Sequence, residues 1–298
     1  MRKLTFFFLL LLGQTCISCR CSNSQFSEFE GEYYDRTEDD KKVKVKSNYE
    51  VAMPEPETAR NEKTKGSNKY IIDFEDVGFP FPNSDIPVLY RKSYVLSYSP
   101  NLKLPNWVAW HLTSEHIDGS VPRSDDYRED LDVPAPRATN DDYRGSGWSR
   151  GHMCPAGDCK WDVKAMSESF LLTNMCPQDK SLNSGLWNRI EMDCRKWAKK
   201  YGSVYIVCGP VLYNKEHETI GVNKVVVPEA FYKVILCLQG KPKAIGFVVK
   251  NNAGTRKKDQ YINTVDEVER ITGYDFFPAL PDDIENEVES HASIEVWR

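Results

Sequence analysis

The run Ser203-Val204-Tyr205-Ile206-Val207-Cys208 is apolar on both of its alternations. A strand with that pattern buries both faces, so this chain has to build a sheet with packing on either side. Directly upstream, residues 183–201 read as a long helix. It starts at a capping-competent Asn183, carries Lys199 and Lys200 in its last turn and meets Gly202 as a stop. A shorter helix is predicted over 264–272, where Thr264 and Glu267 form a capping box and Gly273 ends the pattern. Strands are predicted over 86–98, 107–113, 169–174, 203–213, 231–239 and 243–249, each rich in β-branched or aromatic residues and bounded by turn formers. There is no internal repeat, no GxGxxG loop and no Walker loop. Strands outnumber helices without regular alternation, which predicts one α+β domain over about residues 70–280.

The 298 residues carry 39 bases and 44 acids, a net charge of −5. The imbalance is local. Residues 281–298 hold six acids against one base, Arg298, whereas residues 70–280 are nearly neutral. A protein that coats DNA through bulk charge shows a basic excess, so that class is excluded. An enzyme that touches phosphate at a few points is not.

At the N-terminus, Arg2 and Lys3 precede the apolar run Leu4–Leu12 and Gly13. This is the layout of a secretory signal over residues 1–19, too short to span a bilayer, and no later segment is long and apolar enough to do so. Ile17-Ser18-Cys19 resembles a loose bacterial lipobox, which leaves a lipid anchor at Cys19 and simple secretion both open. The expected location is therefore bacterial export, as a periplasmic, outer-membrane lipoprotein or secreted protein. Residues 20–69 are polar and charge-dense and are expected to be a flexible linker. Six cysteines remain in the body: Cys154, Cys159, Cys176, Cys194, Cys208 and Cys237. An even number in an exported chain permits three disulfides, with buried free thiols as the alternative.

The chemistry concentrates between Tyr143 and Glu191. Ser149-Arg150-Gly151-His152-Met153-Cys154-Pro155-Ala156-Gly157-Asp158 is followed by Leu172-Thr173-Asn174-Met175-Cys176-Pro177-Gln178, then by Asn183, Trp187 and Glu191. His152 has the intrinsic pKa of a general base at neutral pH. Arg150 supplies a permanently charged fork for phosphate oxygens. Asn183 and Glu191 offer the hard oxygens that magnesium takes. Eight helical positions amount to about 12 Å, so both cannot ligate one ion directly. Asn183 fits as the direct ligand and Glu191 acts through a metal-bound water. The other histidines, His111, His116, His217 and His291, read as structural or exposed.

This arrangement resembles the DNA/RNA non-specific endonuclease family, which includes endonuclease G and the Serratia-type nuclease. The family pattern is Asp-Arg-Gly-His with a following Pro and Asp, then Asn-x-x-Pro-Gln, then Asn and Glu eight residues apart on a helix. Arg150, Gly151, His152, Pro155, Asp158, Asn174, Pro177, Gln178, Asn183, Trp187 and Glu191 fall on it, and the similarity covers roughly residues 85–280. It implies the ββα-metal fold, a hairpin with the histidine and a helix with the metal ligand, set in a larger antiparallel sheet flanked by helices. It also implies Mg2+-dependent hydrolysis of DNA and RNA to 5′-phosphorylated products; whether Mn2+ substitutes for Mg2+ is left open. By position His152 is the general base, Asn183 binds the metal, Glu191 orients its water, Arg150 and Arg123 contact phosphate, and Asn174 supports the site. Some relatives dimerise, so a homodimer is left open. One departure stands out: Ser149 occupies the position of the family Asp, which predicts activity with an altered pH optimum. The competing reading is a non-catalytic nucleic-acid-binding surface lipoprotein of the same fold.

Overall fold

The computed structural model describes residues 29–33, 43–47, 74, 77–80, 88–253 and 257–298. The expected signal segment lies outside them. Within the expected linker, β1 (Phe29–Tyr33) and β2 (Val43–Ser47) pair antiparallel, with Glu30 opposite Lys46 and Glu32 opposite Lys44 in register. The rest of that stretch lies outside the described residues.

The body is built on β3 (Val88–Tyr90), β4 (Val95–Ser99), β5 (Leu104–Thr113), β6 (Ser149–His152), β7 (Met175–Gln178), β8 (Ser203–Val211), β9 (Thr219–Ile220), β10 (Val225–Val226), β11 (Ala230–Cys237), β12 (Lys243–Lys250) and β13 (Ile262–Asn263). Its helices are α1 (Ser114–Ile117), α2 (Asn140–Tyr143), α3 (Val163–Glu168), α4 (Lys180–Leu182), α5 (Asn188–Tyr201), α6 (Val265–Thr272) and α7 (Asp282–Glu289). Seven strands form one antiparallel sheet in the order β13-β12-β11-β8-β5-β4-β3. β8 lies at its centre, and its two alternations serve two cores. Val204, Ile206 and Cys208 pack with Trp187, Ile190, Cys194 and Trp197 of the long helix. Tyr205 and Val207 pack on the opposite face with Val265, Val268, Phe276 and Val288. The expected central antiparallel sheet with helices on its faces is what forms.

A separate pair, β6 and β7, is followed at once by the long helix, giving a strand–strand–helix unit. Its register sets Ser149 opposite Gln178, Arg150 opposite Pro177, Gly151 opposite Cys176 and His152 opposite Met175. Gly151 is required there, because a Cβ at that position would fall inside the Gln178 side chain.

Two sequence expectations are corrected, and one that was left open is decided. Residues 169–174 are not a strand: they end α3 and make a tight turn over Leu172–Asn174, and β7 begins only at Met175. Phe170 and Leu172 are apolar because they are core, at 0% and 1% exposure. The side chain of Ser169 bonds the Met166 carbonyl, which is the kind of local bond that competes with a strand ladder. The long helix does not start at Asn183. Asp179 caps it, accepting from the Ser181 and Leu182 amides at 2.8 and 2.9 Å, and Asn183–Trp187 is a π-helical segment between α4 and α5. The six body cysteines are all free and buried; Cys154 and Cys159 approach to 4.0 Å between sulfurs, about twice a disulfide bond.

The acidic C-terminal segment is structured as well. α7 docks on the sheet through Val288, and a last turn sets Trp297, 1% exposed, against Trp197 with ring centres 4.4 Å apart. No helix among the described residues is long and apolar enough to cross a membrane.

Candidate active site

His152 ends β6, with its ring walled by two aromatic residues. Phe170 meets it edge-on at 5.0 Å and Tyr127 at 5.7 Å between centres. Its main-chain carbonyl accepts a hydrogen bond from the Trp187 indole at 3.1 Å, which ties β6 to the π-helical segment. Its Nε2 is shut off from solvent without a hydrogen-bond partner among the described residues. Burial first, then the charges of Arg123 and Arg150, lower its pKa to about 3. The imidazole is therefore neutral across the working range, the form able to accept a proton.

Two arginines flank this ring. The Arg150 guanidinium lies 4.0 Å over the Tyr127 ring and donates to Asn140 Oδ1 at 2.7 Å. Arg123 lies 4.7 Å over the Phe170 ring and donates to Tyr127 Oη at 3.0 Å and to Asp125 at 2.6 Å. Aromatic faces and short hydrogen bonds thus orient both forks. A cavity of about 590 Å3 opens beside Arg150, lined by Tyr127, Asn140, Tyr143, Arg144, Trp148, Ser149 and Asn183. It brings Ser149, Arg150 and Asn183 to one space.

Asn174 is fully buried and acts on the chain rather than on the cavity. Its Oδ1 accepts from the Cys154 amide at 2.9 Å, and its Nδ2 donates to the carbonyls of Cys154 at 2.8 Å and Ser169 at 2.9 Å. It clamps the backbone just past His152. Asn183 is half-buried, and its side chain makes no hydrogen bond among the described residues, which leaves the amide oxygen free. Glu191, also half-buried on α5, has its pKa raised to about 7 by burial, with Lys233, Arg195 and Arg123 pulling the other way. His152, Arg123, Arg150 and Asn183 thus share one neighbourhood, and Glu191 is coupled to it through Arg123.

Lys233 was missed at the sequence level. It lies in the middle of β11, is 0% exposed, and holds its ammonium 4.5 Å from the Trp187 ring and 4.8 Å from the Trp110 ring. Burial works to lower its pKa, and the Cys208 and Cys194 sulfurs with the Glu191 and Asp158 carboxylates more than offset this. Burying a lone ion costs several kcal/mol, and a desolvated cation over an indole returns about 2. Two indoles and two carboxylates therefore make the burial tolerable. The signal was a single Lys in an otherwise apolar run. Asp158 completes this layer, bonded to Arg195 at 2.8 Å and Trp110 at 3.1 Å. The remaining histidines lie elsewhere: His111 stacks on Tyr205, His116 on Trp161, His217 bonds Glu229 and His291 bonds Ser290.

With this geometry in hand, similarity to known proteins is informative. The profile of the DNA/RNA non-specific endonuclease family matches residues 72–283. Nuclease EXOG, mitochondrial, of Xenopus laevis is 38% identical over 226 residues, covering 70% of this chain and 63% of that protein. Endonuclease G, mitochondrial, of Homo sapiens is 36% identical over 205 residues, covering 64% of this chain and 69% of that protein. This chain spans only 60–66% of the length of the EXOG relatives it matches. Among solved structures, an EndoG/EndoGI complex contains a chain with a TM-score of 0.66 and 33% identity, covering 73% of this chain and 95% of that one.

These relatives overturn one expectation. EXOG and endonuclease G are mitochondrial by name, so bacterial export is not supported, and the secretory signal and the lipid anchor at Cys19 fall with it. A basic start before a short apolar run signals targeting more firmly than it signals a destination. The central antiparallel sheet and the strand–strand–helix unit are those of the ββα-metal nucleases. Family match, relatives and fold agree, and the chain belongs to the DNA/RNA non-specific endonuclease family.

Proposed function

We propose that this chain is a metal-dependent, sequence-non-specific endonuclease that hydrolyses phosphodiester bonds of DNA and RNA and leaves 5′-phosphates. The observation that carries the reading is a neutral, buried His152 flanked by two oriented arginines, one of which, Arg150, lines a cavity that also presents Asn183. The His152 Nε2 is buried, which favours Nδ1 as the nitrogen that takes the proton from the attacking water. Arg150 and Arg123 hold the phosphate oxygens; such contacts position a nucleic acid without reading its sequence. Asn174 keeps the His152 loop in place, and Trp187 fixes the carbonyl of His152 itself.

The donor set fits a magnesium ion, because the Asn183 oxygen is uncommitted and an ion with few protein ligands and several waters is what magnesium prefers. Asn183 would hold it, with Glu191 acting through water; Lys233 behind Glu191 favours the ionised carboxylate. When bound, Mg2+, or Mn2+ in its place, neutralises charge developing on the phosphate. All these groups come from one chain, so the reading needs no second copy. The relatives' names extend it to a mitochondrial location.

The deciding experiment is plasmid nicking with Mg2+, with matched RNA alongside. Cleavage by the wild type that His152→Ala abolishes supports the reading. Equal behaviour of the two, or a salt-sensitive gel shift without cleavage, leaves a binding protein instead.

A further inference from the structure

On the sheet face opposite His152, α6 and α7 bring three carboxylates together. One oxygen each of Asp266, Glu269 and Glu289 lies within 4.8 Å of the others. Asp266 and Glu269, three positions apart, share a face of α6, and Glu289 ends α7. The Phe276 amide donates to Glu269 at 2.8 Å and fixes that carboxylate from behind. Glu289 is 4% exposed, and its Oε1 is buried with no hydrogen-bond partner among the described residues. That unsatisfied buried oxygen belongs to an acidic side chain aimed at two further carboxylates, an arrangement that repels itself.

Among the described residues, no ion pair joins a base to these three carboxylates. The charges acting on Glu289 are those of Glu269, Glu285, Asp275 and Asp266, all of like sign. The ion pairs on these helices, Arg270–Glu267 and Lys241–Glu287, engage the neighbouring carboxylates instead. The spacing also leaves room for an ion. With the oxygens no more than 4.8 Å apart, a central ion lies at most about 2.8 Å from each, within reach of calcium–oxygen distances of about 2.3–2.6 Å, and a carboxylate set open to water suits calcium better than magnesium, which dehydrates reluctantly. Asp266 is exposed, so water can supply the remaining ligands that calcium takes.

We propose that Asp266, Glu269 and Glu289 form a calcium site, separate from the catalytic centre, that fastens the acidic C-terminal helix α7 to α6. The metal-free cluster must instead share protons: burial and the four neighbouring acids push Glu289 up to about 9, and burial pushes Glu269 to about 7.

The test uses Asn183→Ala, which removes the proposed active-site ligand, and the same chain carrying Asp266→Asn and Glu289→Gln. Both are stripped with EDTA and titrated with calcium chloride by calorimetry, with thermal melting alongside. The proposal expects one calcium per chain and a rise in Tm for Asn183→Ala, with a much smaller response to magnesium. In the further variant, loss of two charged ligands weakens binding by about tenfold or more, while the metal-free Tm rises because repulsion is relieved. Should that variant fail to fold, Asp266→Asn alone, an exposed change, must weaken the calcium-dependent rise in Tm. No calcium response in Asn183→Ala, or an equal response with the acids replaced, overturns the proposal and leaves a proton-sharing cluster only.

Discussion

His152 and Glu289 both bury an ionisable side chain with an atom that has no hydrogen-bond partner among the described residues, and their surroundings differ in sign. Around His152 stand two arginines and two aromatic rings; around Glu289 stand four more carboxylates. Burial favours the neutral form of both, and the neighbours push further the same way. The histidine is held unprotonated and the glutamate protonated. The contrast separates a surface prepared for an anion from one prepared for a cation. A nearly neutral body can thus serve a polyanionic substrate, because charge is arranged at short range rather than summed.

The largest effect should come from the histidine. His152→Ala is expected to lower nicking by about 10²–10⁴-fold, the usual contribution of a general base, as read by initial rates at saturating Mg2+. Next come the arginines. Arg150→Ala should cost about 10²-fold, and Arg150→Lys should not restore it, because a lysine cannot both stack on Tyr127 and bond Asn140 as the planar fork does. Arg123→Ala should cost less, since its fork is partly exposed and already shared with Asp125. Both arginines hold the His152 pKa down, so either replacement by alanine should raise it from about 3 in an NMR titration. A pKa that stays put would break the electrostatic side of the comparison.

Stability should then depend on pH in opposite directions for the two regions. The unfolded chain protonates His152 below about 6.5, while the folded protein resists until about 3, so its contribution is lost as pH falls through that window. Glu269 and Glu289 have folded values of about 7 and 9 against 4.5 unfolded. Their contribution is present below about 4.5 and is lost as pH rises toward 9. Melting curves in EDTA should therefore fall off on the alkaline side, and Glu289→Gln should flatten that limb alone. A Glu289→Gln variant with an unchanged alkaline limb would place the repulsion elsewhere.

Much of this was legible in the sequence where one residue type answers one demand. The doubly apolar run 203–208 required two cores and obtained them. Arg150, Gly151, His152 and Asn183 were readable because each is chemically narrow in its role. The illegible parts depend on tertiary neighbours. Phe170 looked like a strand residue because burial selects the same side chains as a strand. Asn183 looked like a cap because nothing local marked Asp179, four residues earlier and just before Lys180-Ser181-Leu182, as the true one. Lys233 is explained by two tryptophans and two carboxylates distant in sequence. In 281–298 the sequence shows only an excess of acid, and the fold shows Val288 and Trp297 anchoring it.

The smallest expected effect concerns Ser149, which stands where the family resemblance puts an aspartate. It lines the cavity beside Arg150 and Asn183 and pairs with Gln178 across β6 and β7. Ser149→Asp adds a carboxylate to a region whose nearest charges are positive, so it should raise the His152 pKa and lower the free charge of Arg150. It should also strengthen Mg2+ binding at Asn183. Because His152 starts near 3, a shift of about one unit leaves it neutral at pH 7. The rate there should change only by a few-fold, while the metal concentration for half-maximal nicking falls. A titration of nicking against Mg2+ for both chains reads this directly. A large rate gain at saturating metal would mean that the carboxylate acts on the base itself, and that two arginines without it form an incomplete anion site.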